Sequence, residues 1–448
     1  MLPRYPAAAY TVFMSIKPYN IALLGCGTVG SGVARLLLEQ ADRLAARAGR
    51  RLVLKTILVR HPHKERGVVL PPGLVTTDLH TIINDPDIHL AVEVVGGTTW
   101  ARHAVLDLLA AGKDVVTANK ALLATHGPEI FDAGRRHNKA IAFEASVGGG
   151  IPIIAALSQG LAANQILSLQ GILNGTCNFI LSSMTEHGST YDQALAEAQK
   201  LGYAEADPTM DVDGTDTAQK LAILAQIAFG ASFPVSAITR RGIANLQQID
   251  VRFAHQLGYT IKLLAEAWLQ DNQLALHVAP VLLRHQTPLA QVRDAYNAIF
   301  VVGDAVGSTL YYGRGAGQMP TASAVVADII DLAVGRGQRT FQTMRLWSGP
   351  QHNITLRSAS AVPSRFYLRL MIQDKPGALA EIARILATRH ISISSVMQHE
   401  ALDDQEGSMV PLVIMTHLAP TSNFTSTIHE LDSLNCVEAP CVYFPVGE

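Results

Sequence analysis

The sequence predicts a three-part chain: an α/β domain on a mostly parallel sheet, an α+β domain, and a small C-terminal βαββαβ domain. Three observations predict it. Between residues 19 and 150, short β-branched runs alternate with amphipathic helical stretches, the signature of successive βαβ units. Between 259 and 312, long strand-like runs follow one another across turns and read as partly antiparallel. From about 365 onward the order is strand, helix, strand, strand, helix, strand. A chain of 448 residues has room for two or three such domains.

In the first domain, Asn20 to Leu24 is a strand that ends in Gly25-Cys-Gly27-Thr-Val-Gly30, and an amphipathic helix follows to about Arg47. Strand, Gly-x-Gly-x-x-Gly and helix in that order is the Rossmann-type dinucleotide fingerprint in its required setting. The glycines let the backbone approach a pyrophosphate, with Thr28 and Val29 at the helix start, where free amides favour an anion. A second strand, Leu52 to Val59, ends at Arg60, where an NAD site would usually place an acid. Arg60 can pair with a 2′-phosphate, so NADP is favoured and NAD remains possible; the alternative is a solvated strand-end charge. Helix 78–83, strand 90–95, helix 102–111, and strands 114–117 and 140–144 continue the alternation.

Two loops leave the carboxyl ends of those strands, where open α/β sheets place ligands. In Thr117-Ala-Asn119-Lys120 the lysine can meet phosphate, nicotinamide or a substrate carboxylate, or simply begin a helix. In Glu144-Ala-Ser-Val-Gly-Gly-Gly-Ile-Pro152 three glycines bare the backbone, which suits either an anion or a hard monovalent cation.

The second domain, 151–317, is expected to hold helix 153–161, strand 166–172, a helix opened by Asn174-Gly-Thr176, helix 191–200, and strands near 259–268, 273–283 and 298–312. Its most unusual stretch is the loop 201–220, with Glu205, Asp207, Asp211, Asp213 and Asp216 ahead of an apolar helix that carries Lys220. Asp213 or Thr215 can cap that helix, which puts Asp216 and Lys220 four residues apart on one face. A calcium loop is excluded by spacing, because Gly214 at loop position six puts Lys220 where a bidentate Glu is required. A helix at about 318–336 is expected to return to the first domain; 337–364, with Gly349-Pro350, reads as a linker, and residues 1–18 as a lead-in.

With 35 basic and 37 acidic residues, no basic surface advertises nucleic acid. Four cysteines with no CxxC pair and no Cys/His ligand set suit a reducing cytoplasm. The longest apolar runs are broken by Gln226, Gly230 and Ser232 and do not read as a membrane span.

Taken together, GCGTVG, TANKALL, EASVGGGIPII, GILNGTCNFIL, LGYAEADPTMDVDGTDTAQKLAIL and GRGAGQMPTASAVVAD resemble homoserine dehydrogenase in its single-function form, and Asp374-Lys-Pro-Gly-Ala-Leu379 resembles the ACT domain, here 365–448. The resemblance implies interconversion of L-aspartate 4-semialdehyde and L-homoserine with NAD(P)H. It implies Lys220 as proton donor to the aldehyde oxygen, with Lys120 the rival, and Glu205, Asp216 and Thr176 around the substrate. It further implies Gly25, Gly27, Thr28, Val29, Gly30, Arg60 and Lys120 on the nucleotide, with Gly303 a weaker candidate. A sodium ion is implied at the carbonyls of Val147, Gly149 and Ile151 beside Glu144, L-threonine as effector at the ACT domain, and a homodimer or homotetramer. Asp207, Asp211 and Asp213 are left mainly to loop architecture. A related oxidoreductase acting on another amino-acid aldehyde or imine, or an amino-acid-sensing binding protein, are the competing readings.

Overall fold

In the computed structural model, which describes residues 17–348, 354–398 and 408–447, six strands form a parallel sheet. They are β1 Tyr19–Leu24, β2 Leu52–Leu58, β3 Val75–Thr76, β4 Ile88–Glu93, β5 Asp114–Thr117 and β6 Ile141–Ala142, in the order β3-β2-β1-β4-β5-β6. Ile21, Leu23, Leu24, Leu90, Val92, Val115 and Val116 are fully buried, which is why these strands read as continuous apolar runs. The order reverses between β1 and β4, and ligands of such sheets bind at that reversal.

The helices of this unit include α1 Thr28–Glu39, α2 Ala41–Ala48, α3 Thr99–Ala110 and α4 Lys120–Arg136. The single helix expected to Arg47 is thus broken at Gln40, whose φ of −121° leaves the helical region. Only Ile141 and Ala142 of the strand expected at 140–144 pair with β5; Glu144 opens a 3-10 turn, because its amide donates to Asp328 Oδ2 (2.8 Å) instead of to a strand. The helix expected at 153–161 is α-helical only over α5 Ile153–Ala155 and continues as a π turn, Ala156–Gly160.

Contacts divide the chain into two units, and this sheet lies in the first, with Gln219–Ala237 and the stretch from Val301. The second unit takes Leu167–Ala218, Ile238–Phe300 and the stretch from Ile354. It holds most of β7 Ile166–Ile172, all of α6 Gly175–His187, α7 Tyr191–Lys200 and α8 Thr209–Val212, and the start of α9 Thr215–Phe229, which continues into the first unit. Next come β8 Thr239–Arg240, α10 Gln248–Gln256, and the hairpin β9 Tyr259–Gln270 and β10 Gln273–Arg284. That hairpin turns on Asp271 and Asn272, both with positive φ (52° and 59°), the two-residue turn that matches strand twist. The strand expected at 298–312 is two, β11 Tyr296–Gly303 and β12 Gly307–Arg314. Asn164 Oδ1 accepts from the amides of Ala305 (3.2 Å) and Val306 (2.8 Å) and holds the turn between them.

Helix α11 Gln318–Ala333 returns onto α1, where a side chain at Gly32 would meet Ala322 at 2.9 Å. The stretch expected as a linker departs from that expectation: α12 Arg336–Met344 is a helix, and Phe341 lies 5.4 Å from Phe131, ring to ring, beside Trp347 at 4.4 Å from Phe131. Few apolar residues mark this segment, but Phe341, Leu346 and Trp347 are large and buried, so periodicity misses what packing uses. Further on, β13 Thr355–Leu356 pairs with β10. Residues 1–16 of the expected lead-in and the Gly349-Pro350 turn lie outside the described residues.

The C-terminal segment runs β14 Pro363–Gln373, α13 Ala378–Thr388, β15 Ile393–Gln398, β16 Met409–Thr416, β17 Ala419–Pro420, α14 Thr421–Leu431 and β18 Val437–Val446. Four strands take the order β15-β16-β14-β18, as the βαββαβ reading requires, and Leu282 of β10 pairs with Val446 of β18 to continue the sheet. Beside this junction Arg369, 5% exposed, grips Asp250, 0% exposed, with two hydrogen bonds (Nε to Oδ1 2.6 Å, a terminal nitrogen to Oδ2 3.1 Å), and the Tyr367 hydroxyl donates to the same carboxylate (3.0 Å). The Arg241 guanidinium stacks on Tyr443 (4.5 Å) and donates to its carbonyl (2.6 Å).

Removing one member of a buried charge pair leaves the other uncompensated. Arg369→Met is therefore expected to lower stability by about 3–5 kcal/mol, and adding Asp250→Leu to recover part of the loss. Urea unfolding measures both; a double variant no more stable than the single one would show that the pair is not the source.

Candidate active site

In the first unit the glycine loop after β1 has the geometry a phosphate group needs. Gly25 has φ +96°, and a side chain there would meet the Val94 carbonyl at 3.1 Å; one at Gly30 would strike the Gly25 carbonyl. At Gly27 a side chain would meet nothing within 4 Å, so that glycine leaves space open, as a cradle for a pyrophosphate must. Gly27 precedes α1 without a side-chain cap, and Thr28 is exposed beside it, with Val29 half-buried. Arg60 is exposed two residues past β2.

Across the reversal point Glu93, the last residue of β4, is wholly buried, and sequence reasoning passed over it. Its Oε1 accepts from the amides of Val95 (2.9 Å) and Gly96 (3.0 Å), and its Oε2 from the Thr117 hydroxyl (2.7 Å). Thr117 in turn accepts from the Asn119 amide (3.0 Å), while the Asn119 side chain caps α4 and donates to the Gly97 carbonyl (2.7 Å). One buried acid therefore sets the loops after β4 and β5, and with them Lys120, half-buried at the first turn of α4. A lone acid ending an apolar strand was the available signal.

Glu144 is 6% exposed, and its two oxygens accept from the amides of Ile154 and Ala155, each at 2.8 Å. Burial pushes its carboxyl up from 4.5 to about 7, and burial with the neighbouring Glu144 raises Asp328 well above its ordinary value. Among the described residues neither has an ion-pair partner. The loop beside them, with buried Val147, Gly149 and Ile151, takes positive φ at Gly148 and Gly149, and a side chain at Gly149 would strike the Gly315 carbonyl. The oxygens of these acids and of this loop's backbone are donors of the kind a hard cation takes. Gly303 is buried and has a packing reason of its own, since a side chain there would meet Asn164 at 2.9 Å.

In the second unit the acidic loop is organised around the start of α6. Asn174 Oδ1 caps that helix by accepting from the Cys177 amide (2.8 Å), and its Nδ2 donates to Asp211 (2.7 Å) and to Asp216 (2.8 Å). Thr176, 7% exposed, donates its hydroxyl to the Tyr203 carbonyl (2.6 Å). Asp216 is 6% exposed, and Lys220 stands half-buried four residues on along α9. Asp207 accepts from Thr209 (amide 3.1 Å, hydroxyl 2.6 Å) before α8, and hydrogen bonds from Thr209 hold its carboxyl below the usual range. Asp213 accepts from the amide (2.8 Å) and hydroxyl (2.9 Å) of Thr215 at the start of α9. Asp207 and Asp213 thus spend themselves on helix starts, Asp211 and Asp216 meet at Asn174, and Glu205 stays exposed, its carbonyl held by Gln199 (3.2 Å).

Comparison with known proteins adds to this. The family model for homoserine dehydrogenase matches residues 152–330, that for the homoserine dehydrogenase NAD-binding domain residues 25–144, and that for the ACT domain residues 366–433. A homoserine dehydrogenase of Pseudomonas aeruginosa is 43% identical over 441 residues, 97% of this chain and 100% of the relative. The crystal structure of a homoserine dehydrogenase from Thiobacillus denitrificans superposes with a TM-score of 0.89 at 42% identity, covering 96% of this chain and 99% of that one. A hyperthermophilic archaeal homoserine dehydrogenase in complex with NADPH superposes with a TM-score of 0.58 at 25% identity, covering 70% and 97%.

A carboxyl whose folded value is raised favours the folded state fully below its unfolded value and loses that contribution as pH climbs to the folded one. The Glu144 contribution is accordingly expected to decline between pH 4.5 and about 7, and Glu144→Gln to make the stability profile shallower there. Melting temperatures across that range decide it; parallel profiles would mean Glu144 is ionised throughout.

Proposed function

The chain belongs to the homoserine dehydrogenase family, and from that membership we propose how its own residues divide the reaction. It is an NAD(P)-dependent oxidoreductase that interconverts L-aspartate 4-semialdehyde and L-homoserine, in the biosynthesis of threonine, methionine and isoleucine. When bound, the nicotinamide supplies or accepts the hydride.

Gly25, Gly27 and Gly30, with Thr28 and Val29, hold the pyrophosphate. Arg60 meets a 2′-phosphate and makes NADP the preferred cofactor, a reading supported by the absence of an acid at the end of β2 and by the NADPH named in the archaeal relative's complex. In this assignment Lys220 hands a proton to the aldehyde oxygen as hydride arrives, and its charge stabilises the developing alkoxide. The observation that carries it is α9 itself, which presents Asp216 and Lys220 one helical turn apart. Asp216 and Glu205 take the substrate's ammonium group and Thr176 lines its wall. Lys120 sits with cofactor and substrate and is the second candidate for the proton. Gly303 is the weaker candidate near the nicotinamide. Sodium, held by the carbonyls of Val147, Gly149 and Ile151 beside Glu144, offsets the buried acids; adding sodium to the Glu144 titration should raise stability most at its alkaline end. The ACT segment takes L-threonine as effector, in a cytoplasmic homodimer or homotetramer.

Lys220→Ala is expected to lower kcat about 10²–10⁴-fold with cofactor binding intact, assayed with NADPH and with NADH to rank the two. Unchanged turnover would move the proton to Lys120. Separately, L-threonine titrated into the assay is expected to inhibit the wild-type enzyme; neither binding nor inhibition would leave the ACT segment an oligomerising element.

A further inference from the structure

We propose that Asn174 is a positioning residue whose side-chain amide holds Asp211 and Asp216 together and so aims Asp216 at the substrate's ammonium group. The proposal rests on the role given to Asp216 above and adds the group that makes that role possible.

Asn174 is 5% exposed and is shared between two tasks. Its oxygen does the ordinary work of a helix cap on the Cys177 amide. Its nitrogen does something a cap does not require: the two amide hydrogens go to Asp211 Oδ1 at 2.7 Å and Asp216 Oδ2 at 2.8 Å. Those acids come from different helices, α8 and α9, so one side chain fixes where two elements place their carboxylates.

Carboxylates this close repel, and one would ordinarily take up a proton. A primary amide offers two donors and no charge, so it can serve both carboxylates without adding a charge of its own. A lysine or arginine at this position would cancel the charge that the ammonium group is to meet, and a hydroxyl has only one proton to give. The neighbours reinforce the arrangement. The Cys177 thiol donates to the Asp211 carbonyl (3.2 Å), and Thr176 holds the Tyr203 carbonyl, so the first turn of α6 fastens the acidic loop at two points.

Capping and positioning separate by substitution. Asn174→Asp and Asn174→Ser both keep an acceptor for the Cys177 amide and lose the paired donors; Asn174→Ala loses both. Asn174→Ser is expected to melt near the wild type, and Asn174→Ala and Asn174→Asp lower, the first for its lost cap and the second because a third carboxylate joins the pair. All three are expected to raise KM for homoserine by about tenfold or more, Asn174→Asp most, with KM for the nicotinamide cofactor unchanged. If Asn174 only caps, KM will follow melting temperature and Asn174→Ser will bind homoserine like the wild type, which overturns the proposal. Asp216→Asn is the control. If it raises KM while Asn174→Asp and Asn174→Ser do not, positioning by Asn174 fails and the Asp216 assignment stands; if Asp216→Asn leaves KM unchanged, that assignment fails and the proposal falls with it.

Discussion

A carboxylate taken out of water has to be met by donors, or it gives up its charge, and this chain works under that constraint wherever its fold turns toward chemistry. Glu93 is met by two backbone amides and a threonine hydroxyl, and the loops that end β4 and β5 take their shape from those bonds. Asp211 and Asp216 are met by one asparagine. Asp250 is met by an arginine and a tyrosine. Glu144 is met by two amides and keeps its proton more tightly than an exposed acid does. Apart from Arg369, the donors in these sets are backbone amides, hydroxyls and one side-chain amide, all of them neutral.

The constraint also explains why the acidic loop holds more acids than one substrate can engage. Asp207 stands before the short α8 and Asp213 before the longer α9, and each accepts from the threonine two residues on. Asp211 and Asp216 instead reach the same amide. Architecture and recognition are divided between alternate acids of one stretch.

Much of this was legible in the residues because the informative patterns are local. The glycine loop declares itself within six positions, and β5, β7 and α7 fall on the runs that propensity marks, since each is apolar or capped in its own sequence. What stayed hidden depends on partners far along the chain. Helix α12 is held by Phe341 against Phe131, more than two hundred positions away, and its own composition is polar. The Glu144 stretch leaves strand geometry because its amide is claimed by Asp328. Asn174 reads from sequence only as the opening of a helix; its hold on Asp211 and Asp216 exists because these, thirty-seven and forty-two positions later, return to it. Motif spacing announces which residues are present, whereas the donors that meet a buried acid are assembled by the fold.

The Arg369–Asp250 grip bears on how such a protein can change over generations. A regulatory segment is often pictured as an interchangeable cassette. Here the recipient carries a buried aspartate whose guanidinium comes from the cassette's first strand, and β18 continues the recipient's sheet through Val446. A transplanted segment lacking an arginine at the Arg369 position would arrive with a vacancy opposite a stranded charge. Inheritance of the two parts is therefore tied, and drift at either position selects for compensation at the other.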